Sequence, residues 1–206
     1  MCRLRYALLT GALLLTACND TKKPNDANFR KAINQYLQTH GQACTWIGQL
    51  FPVDVPESQQ KSNFGIASKM SALEQVGLVQ STDTVVTAPE ILGGNTQRHV
   101  QRYQPTITGK QYLQQNQAPL SGTAGFCYGT KTVDSIVRWT EPTTMGPGTV
   151  TEVTYTYNIS DLAPWARRPD VQKQFGDIRS TIDGISKTNE LAGLQLTNQG
   201  WDVSAR

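Results

Sequence analysis

Histidine is almost missing from this chain, with two residues in 206, and charged residues make up only 17%. Two imidazoles, His40 and His99, leave few groups able to act as bases or metal ligands near neutral pH. They lie far apart in sequence, and neither has a second ligand at zinc-site spacing. There is no His-Glu-x-x-His, no Gly-x-Ser-x-Gly and no glycine-rich loop ending in Gly-Lys-Ser/Thr. Gly129-Thr-Lys131-Thr lacks both the upstream glycine spacing and the Gly-Lys order. No cofactor and no metal are therefore implied. A net charge of +3 over this length gives no electrostatic footprint for nucleic acid, which is excluded as a partner. Low charge, 17 glycines and 10 prolines also exclude a coiled coil, a collagen-like fibre and a charge-driven disordered chain. Long apolar runs are absent too: the longest, near the start, is about half the ~20 residues a spanning helix needs.

That short run carries information. Arg3 and Arg5 precede Tyr6-Ala-Leu-Leu-Thr-Gly-Ala-Leu-Leu-Leu15, and Thr16, Ala17 and Cys18 follow. A basic start, an apolar stretch and small residues before a cut describe an export signal over residues 1–17. Leu15-Thr16-Ala17-Cys18 resembles the lipobox of bacterial lipoproteins. The resemblance implies cleavage before Cys18, a diacylglyceryl thioether on its sulfur, and acylation (palmitate-type) of the new amino terminus. Two or more acyl chains hold a protein stably on a membrane, whereas one does so only marginally. The resemblance thus implies anchoring to the bacterial cell membrane or outer membrane, with the domain in the periplasm or at the surface. Asn19 and Asp20 bear on sorting between those membranes and lean towards inner-membrane retention, but the destination stays open.

Removing residues 1–17 leaves 17 basic against 16 acidic residues, so the mature protein is near neutral. Residues 18–28 are polar and are expected to form a flexible tether, with one globular domain over 29–206. Cys2 leaves with the signal and Cys18 takes lipid. Cys44 and Cys127 remain, and two thiols exported to an oxidising compartment are expected to pair. A loop of that length is worth about 4 kcal/mol on the chain-entropy model.

Along the mature chain, Phe29, Ile33, Tyr36 and Leu37 line one helical face between Asn25-Asp26 and His40-Gly41. Ala43–Ile47 reads as a strand and Phe51–Gln60, with two prolines, as a loop. Phe64, Ala67, Met70, Leu73 and Val76 mark a second helix closed by Gly77. Val79–Thr87 and His99–Gln104 are extended around a turn over Pro89–Asn95. Leu73-Glu-Gln-Val-Gly77-Leu78-Val79, then Tyr103-Gln-Pro-Thr-Ile-Thr-Gly109 and Tyr112-Leu113, resemble parts of a winged-helix domain over about residues 62–113. Pro105 stands where that family prefers Leu. The resemblance implies a helix, a two-stranded wing and re-entry into a helix.

The second half is richer in strand. Val133, Ser135, Val137 and Trp139 alternate, as do Val153, Tyr155, Tyr157 and Ile159, predicting an antiparallel pair with one buried face. A single helix is expected over Pro169–Ile182, and a strand or hairpin over Leu194–Val203. Gln104-x-Thr106-x-x-Gly109 recurs as Gln195-x-Thr197-x-x-Gly200, which reads as chance reuse of a Thr/Gly turn, with duplication of a helix-plus-sheet half as the alternative. The fold expected is α+β, with a winged-helix-like first half, an antiparallel sheet, and a C-terminal helix and strand.

Ser58-Gln-Gln-Lys61 resembles the Ser-x-x-Lys of serine β-lactamases and penicillin-binding proteins, but the Ser-Asp-Asn and Lys-Thr-Gly partners of that motif are absent. Trp46 and Trp139, on strands, are expected in the core. Trp165, between Pro164 and Ala166-Arg167-Arg168-Pro169, has two readings: packed under the next helix, or exposed with Arg167 and Arg168 as an interaction surface. The reading adopted is a non-catalytic envelope lipoprotein that binds another protein or an envelope polymer. The alternative is a periplasmic, hydrolase-like enzyme, with Ser58, Lys61 and the two histidines as its candidates.

Overall fold

Asn25 starts the first helix by accepting a hydrogen bond from the Asn28 amide on its side-chain oxygen, with Asp26 in the first turn. This helix, α1 (Asp26–His40), buries Asn28, Phe29, Ala32, Ile33 and Leu37 along one face. The computed structural model describes residues 20–89, 94–116, 122–146 and 148–204. Cys18 and residues 1–17, where an export signal is expected, lie outside them. No described helix is long and apolar enough to cross a membrane.

Two antiparallel sheets share one contiguous core. The larger runs in the order β1 (Gln42–Trp46), β6 (Thr123–Trp139), β8 (Gly148–Ser160), β9 (Asn189–Thr197), β10 (Gly200–Val203). Two short strands add to it, β5 (Leu113–Asn116) on β6 and β7 (Thr143–Met145) on β8. The smaller sheet runs β2 (Val53–Pro56), β4 (Asn95–Pro105), β3 (Val79–Pro89), with α2 (Gly65–Gln75) between β2 and β3 in the chain. The architecture is α+β, with helices against a large antiparallel sheet.

Cys44 faces Cys127 across the β1–β6 pair, and the two form a disulfide. β8 places Val153, Tyr155, Tyr157 and Ile159 in the core, but the one buried face expected is not what forms. Thr154 and Thr156 on the opposite face are buried too, hydrogen-bonded to Arg138 and to Ser135 and Asp134 respectively. Phe29 meets Trp139 and Trp201 edge-on at 5.3 and 5.1 Å, which ties α1 to β6 and to β10 of the large sheet.

Several local expectations are corrected. The stretch Phe51–Gln60 is not all loop, because Val53 and Val55 are fully buried and pair with Tyr103 and Gln101. Pro52 precedes β2 and Pro56 is its last residue, and β2 is an edge strand, where proline is accepted. The alternation on β6 breaks at two irregularities, between Val133 and Ser135 and between Ile136 and Arg138. Each extra residue turns the next side chain over, so Ile136 packs on the core while Val137 is exposed. Trp46 is 44% exposed at the end of β1, not core, and lies over Gly125.

The helix expected over Pro169–Ile182 is two, α4 (Pro169–Gln174) and α5 (Gly176–Asp183). Phe175 leaves helical geometry between them (φ −121°, ψ 85°) to bury its ring, and Gly176 favours the break. The re-entry into a helix after the β3–β4 hairpin is one turn only, α3 (Ile107–Lys110), before the chain becomes β5. Thr106 caps that turn by accepting from the Gly109 amide, and Thr197 accepts likewise from the Gln199 amide. The repeated Thr/Gly pattern thus serves two different turns. At Thr106 it is a helix cap that reaches three residues ahead; at the β9–β10 hairpin turn, Thr197 reaches two ahead and Gly200 takes φ +125°. Gly109 is required where it stands, since a Cβ there would lie 1.8 Å from the Leu78 carbonyl oxygen.

The polar stretch 18–28 is anchored from Asp20 onward. Asn28, almost wholly buried, donates through Nδ2 to the carbonyls of Asp20 and Lys23, both at 2.8 Å.

Candidate functional site

A short 3₁₀ turn, Pro164–Arg167, carries the Trp and Arg residues singled out in the sequence. Pro164 opens the turn and fixes its first φ. The Ala163 amide donates to the Tyr128 carbonyl, which fastens the turn to β6. Trp165 points inward and is 7% exposed. Tyr112, Phe126 and Tyr128 meet its indole edge-on, with centroids at 5.8, 6.5 and 6.0 Å. Its Nε1–H is buried with no hydrogen-bond partner among the described residues. Trp165 is therefore packed, the first of its two readings, while Arg167 and Arg168 stay outside.

Packed does not mean covered. Trp165 helps floor a shallow, open groove of about 430 Å³ with Leu78, Val76 and Tyr112, rimmed by the exposed Gln75, Thr108, Pro164 and Arg168. Three elements meet there: the end of α2, the α3 turn and the 3₁₀ turn. The site is thus built where the smaller sheet's unit joins the larger one. An apolar floor with a few polar groups at its edge is the composition of a binding groove. Ile107, next to the rim residue Thr108, is 85% exposed and extends the apolar surface.

On the rim, Arg168 grips Asp170 in a fork, Nε to Oδ1 at 3.0 Å and a terminal nitrogen to Oδ2 at 2.9 Å. Hydrogen bonding to Arg168 holds the Asp170 carboxyl below the usual carboxylate range. An incoming anion must therefore compete with Asp170 for Arg168, whereas Arg167 is exposed beside it. The groove can sort partners by apolar fit and sign of charge. It presents no paired acid and base.

The other singled-out residues are not brought together. His40 ends α1, its ring stacked on Tyr36 at 4.3 Å and its Nδ1 2.8 Å from the Thr39 hydroxyl. His99 is exposed on β4, in a shallow groove of about 310 Å³ that Glu57 and Asp83 also line. Ser58 stands on a 3₁₀ turn (Glu57–Gln59), and no hydrogen bond among the described residues joins it to Lys61. Lys61 instead lines a cleft with Lys173 and Asp170.

One cluster escaped sequence reasoning. Lys131 pairs with Glu190, whose second oxygen accepts from the Tyr155 hydroxyl at 3.0 Å. The Lys131 ammonium also lies 4.4 Å from the centre of the Tyr157 ring. Burial first, then the Glu190 charge, push the Tyr155 phenol far above its ordinary value. Both carboxylate oxygens are engaged, so the cluster is a closed structural knot. Register alone creates it, and no spacing in the sequence announces it. No family model matches the chain, and no curated protein or solved structure matches it either.

Proposed function

We propose that this protein is a bacterial envelope lipoprotein, held on a membrane through lipid at Cys18, that binds another envelope protein or an envelope polymer without catalysing a reaction. The address rests on Leu15-Thr16-Ala17-Cys18 behind a basic and apolar export signal. The observation that carries the binding role is the groove floored by Trp165, Leu78, Val76 and Tyr112. Apolar grooves with Trp in the floor and Arg at the rim suit partner anchors, because such residues dominate interface energetics. The winged-helix-like reading of residues 62–113 belongs to the same proposal. It draws support from α2, the Gly77 turn at φ +74°, and the long β3–β4 hairpin flanked by β2. Here that unit serves as one wall of the groove, with no role in nucleic-acid binding.

Two measurements test this. Labelled fatty acid is incorporated by the wild-type protein and not by Cys18→Ser; equal labelling of both defeats the lipoprotein assignment. A photo-crosslinker at Gln75 gives a discrete adduct in cells that Arg167→Glu with Arg168→Glu weakens. An adduct pattern no different from a crosslinker at Leu191, exposed on the other face of the large sheet, defeats the groove as the binding site. The hydrolase-like alternative draws on His99 sharing a groove with Glu57 and Asp83. It requires an ester- or amide-cleaving activity that His99→Ala abolishes.

A further inference from the structure

We infer that the lipid anchor is a short leash that seats one face of the domain, the start of α1 and the β9–β10 turn, directly on the phospholipid headgroup layer. The inference rests on lipidation at Cys18 and adds how the domain is held. Residues Asp20–Lys23 are pinned at several points. Asn28 Nδ2 donates to the Asp20 and Lys23 carbonyls, the Trp201 indole N–H donates to the Lys22 carbonyl at 3.1 Å, and the Thr21 hydroxyl donates to the Gln199 carbonyl at 3.1 Å. Gly200, at φ +125°, leaves room for this approach, since a Cβ there would lie 2.9 Å from the Thr21 carbonyl oxygen.

One residue, Asn19, separates Cys18 from this pinned segment. Two residue steps span at most about 7 Å. A lipid on Cys18 therefore cannot lift the face further than about one layer of headgroups, whereas a free ten-residue spacer would allow about 17 Å on average. Lys22, Lys23 and Asp20 lie in the segment, and Lys31, Asp26 and Asp202 lie near it. Equal numbers of each sign give no net attraction to anionic lipid. The covalent leash, not charge, sets the orientation, and the seating is therefore insensitive to salt.

The test uses the lipidated protein with Gln199→Cys carrying a fluorescent bimane, in phosphatidylethanolamine–phosphatidylglycerol vesicles with nitroxide-headgroup lipid. Cys18 is capped by lipid and Cys44 is bonded to Cys127, so the introduced thiol alone reacts. The bimane is strongly quenched, equally at low and high salt. A flexible Gly/Ser insertion of about 20 residues between Asn19 and Asp20 lowers quenching several-fold, its mean span being about 25 Å. Mass spectrometry of the same preparation reads the lipid. A protein without lipid removes both this inference and the reading beneath it. A lipidated protein whose bimane is unquenched, or quenched alike with and without the insertion, overturns the leash alone.

Discussion

Tyr155 acquires its chemistry from neighbours it meets only on folding. Its hydroxyl donates to Glu190, which Lys131 neutralises from a position 59 residues away in sequence. Burial and the Glu190 charge make the phenol harder to ionise, and burial alone leads the same effect at Tyr103, Tyr128 and Tyr157. A raised folded-state pKa means that the folded protein holds the proton more tightly than the unfolded chain. The stability so contributed is fully present below the unfolded value near 10 and is lost as pH rises above it. Tyrosinate absorbance of the folded protein should therefore rise at higher pH than in urea; coincident titrations would refute the burial. Tyr155→Phe should cost about 1–2 kcal/mol at neutral pH, read by urea unfolding, and should lessen the alkaline loss. The Asp54–Arg102 fork works with the opposite sign. Hydrogen bonding to Arg102 lowers the Asp54 pKa, so its contribution exists above the unfolded value near 3.9 and fades in acid. Both side chains are about a third exposed, so solvent screening keeps the pair's contribution to stability small.

Elements with local signals were legible in the sequence, and elements made by distant partners were not. The start of α1 follows from Asn25 and Asp26, and the end of α2 from Gly77, because caps and left-handed turns are written in one or two residues. β2 was hidden because its two prolines argue for a loop, and only pairing with β4 reveals buried Val53 and Val55. The irregularities on β6 were hidden for a related reason: a shift of face is set by what lies opposite, not by the strand's own pattern. The site divides the same way. Composition drew notice to Trp165, Arg167 and Arg168, but the groove also needs Val76, Leu78 and Tyr112, which only the chain's path brings near. The Cys44–Cys127 bond fastens β1 to β6 across a separation of 83 residues. Replacing both cysteines with Ala should lower stability by about 4 kcal/mol, less any relief of local strain. Urea unfolding of the oxidised wild type against the double variant measures this, and a loss below about 1 kcal/mol would show that the crosslink constrains the unfolded chain little.

For the whole molecule, the decisive feature is that the two sheets share one core. Val53, Val55, Val79 and Tyr103 of the smaller sheet belong to the same buried cluster as Phe126, Tyr128, Val153 and Leu194 of the larger. The groove lies where the halves meet, so its shape depends on their staying together. Such a core predicts cooperative unfolding in a single step. Val55 is fully buried at the centre of the short strand β2, remote in the chain from Trp139 and Trp201. Val55→Ala removes two methyl groups and leaves a cavity, a loss of roughly 2 kcal/mol. Were the smaller sheet independent, that loss would affect far-ultraviolet dichroism and leave the fluorescence of the large-sheet tryptophans nearly unmoved. With one core, both signals should shift to lower urea together, with unchanged slope. A dichroism transition that precedes the fluorescence transition would mean that the groove joins two separately stable halves, and its walls could then part while each half remained folded.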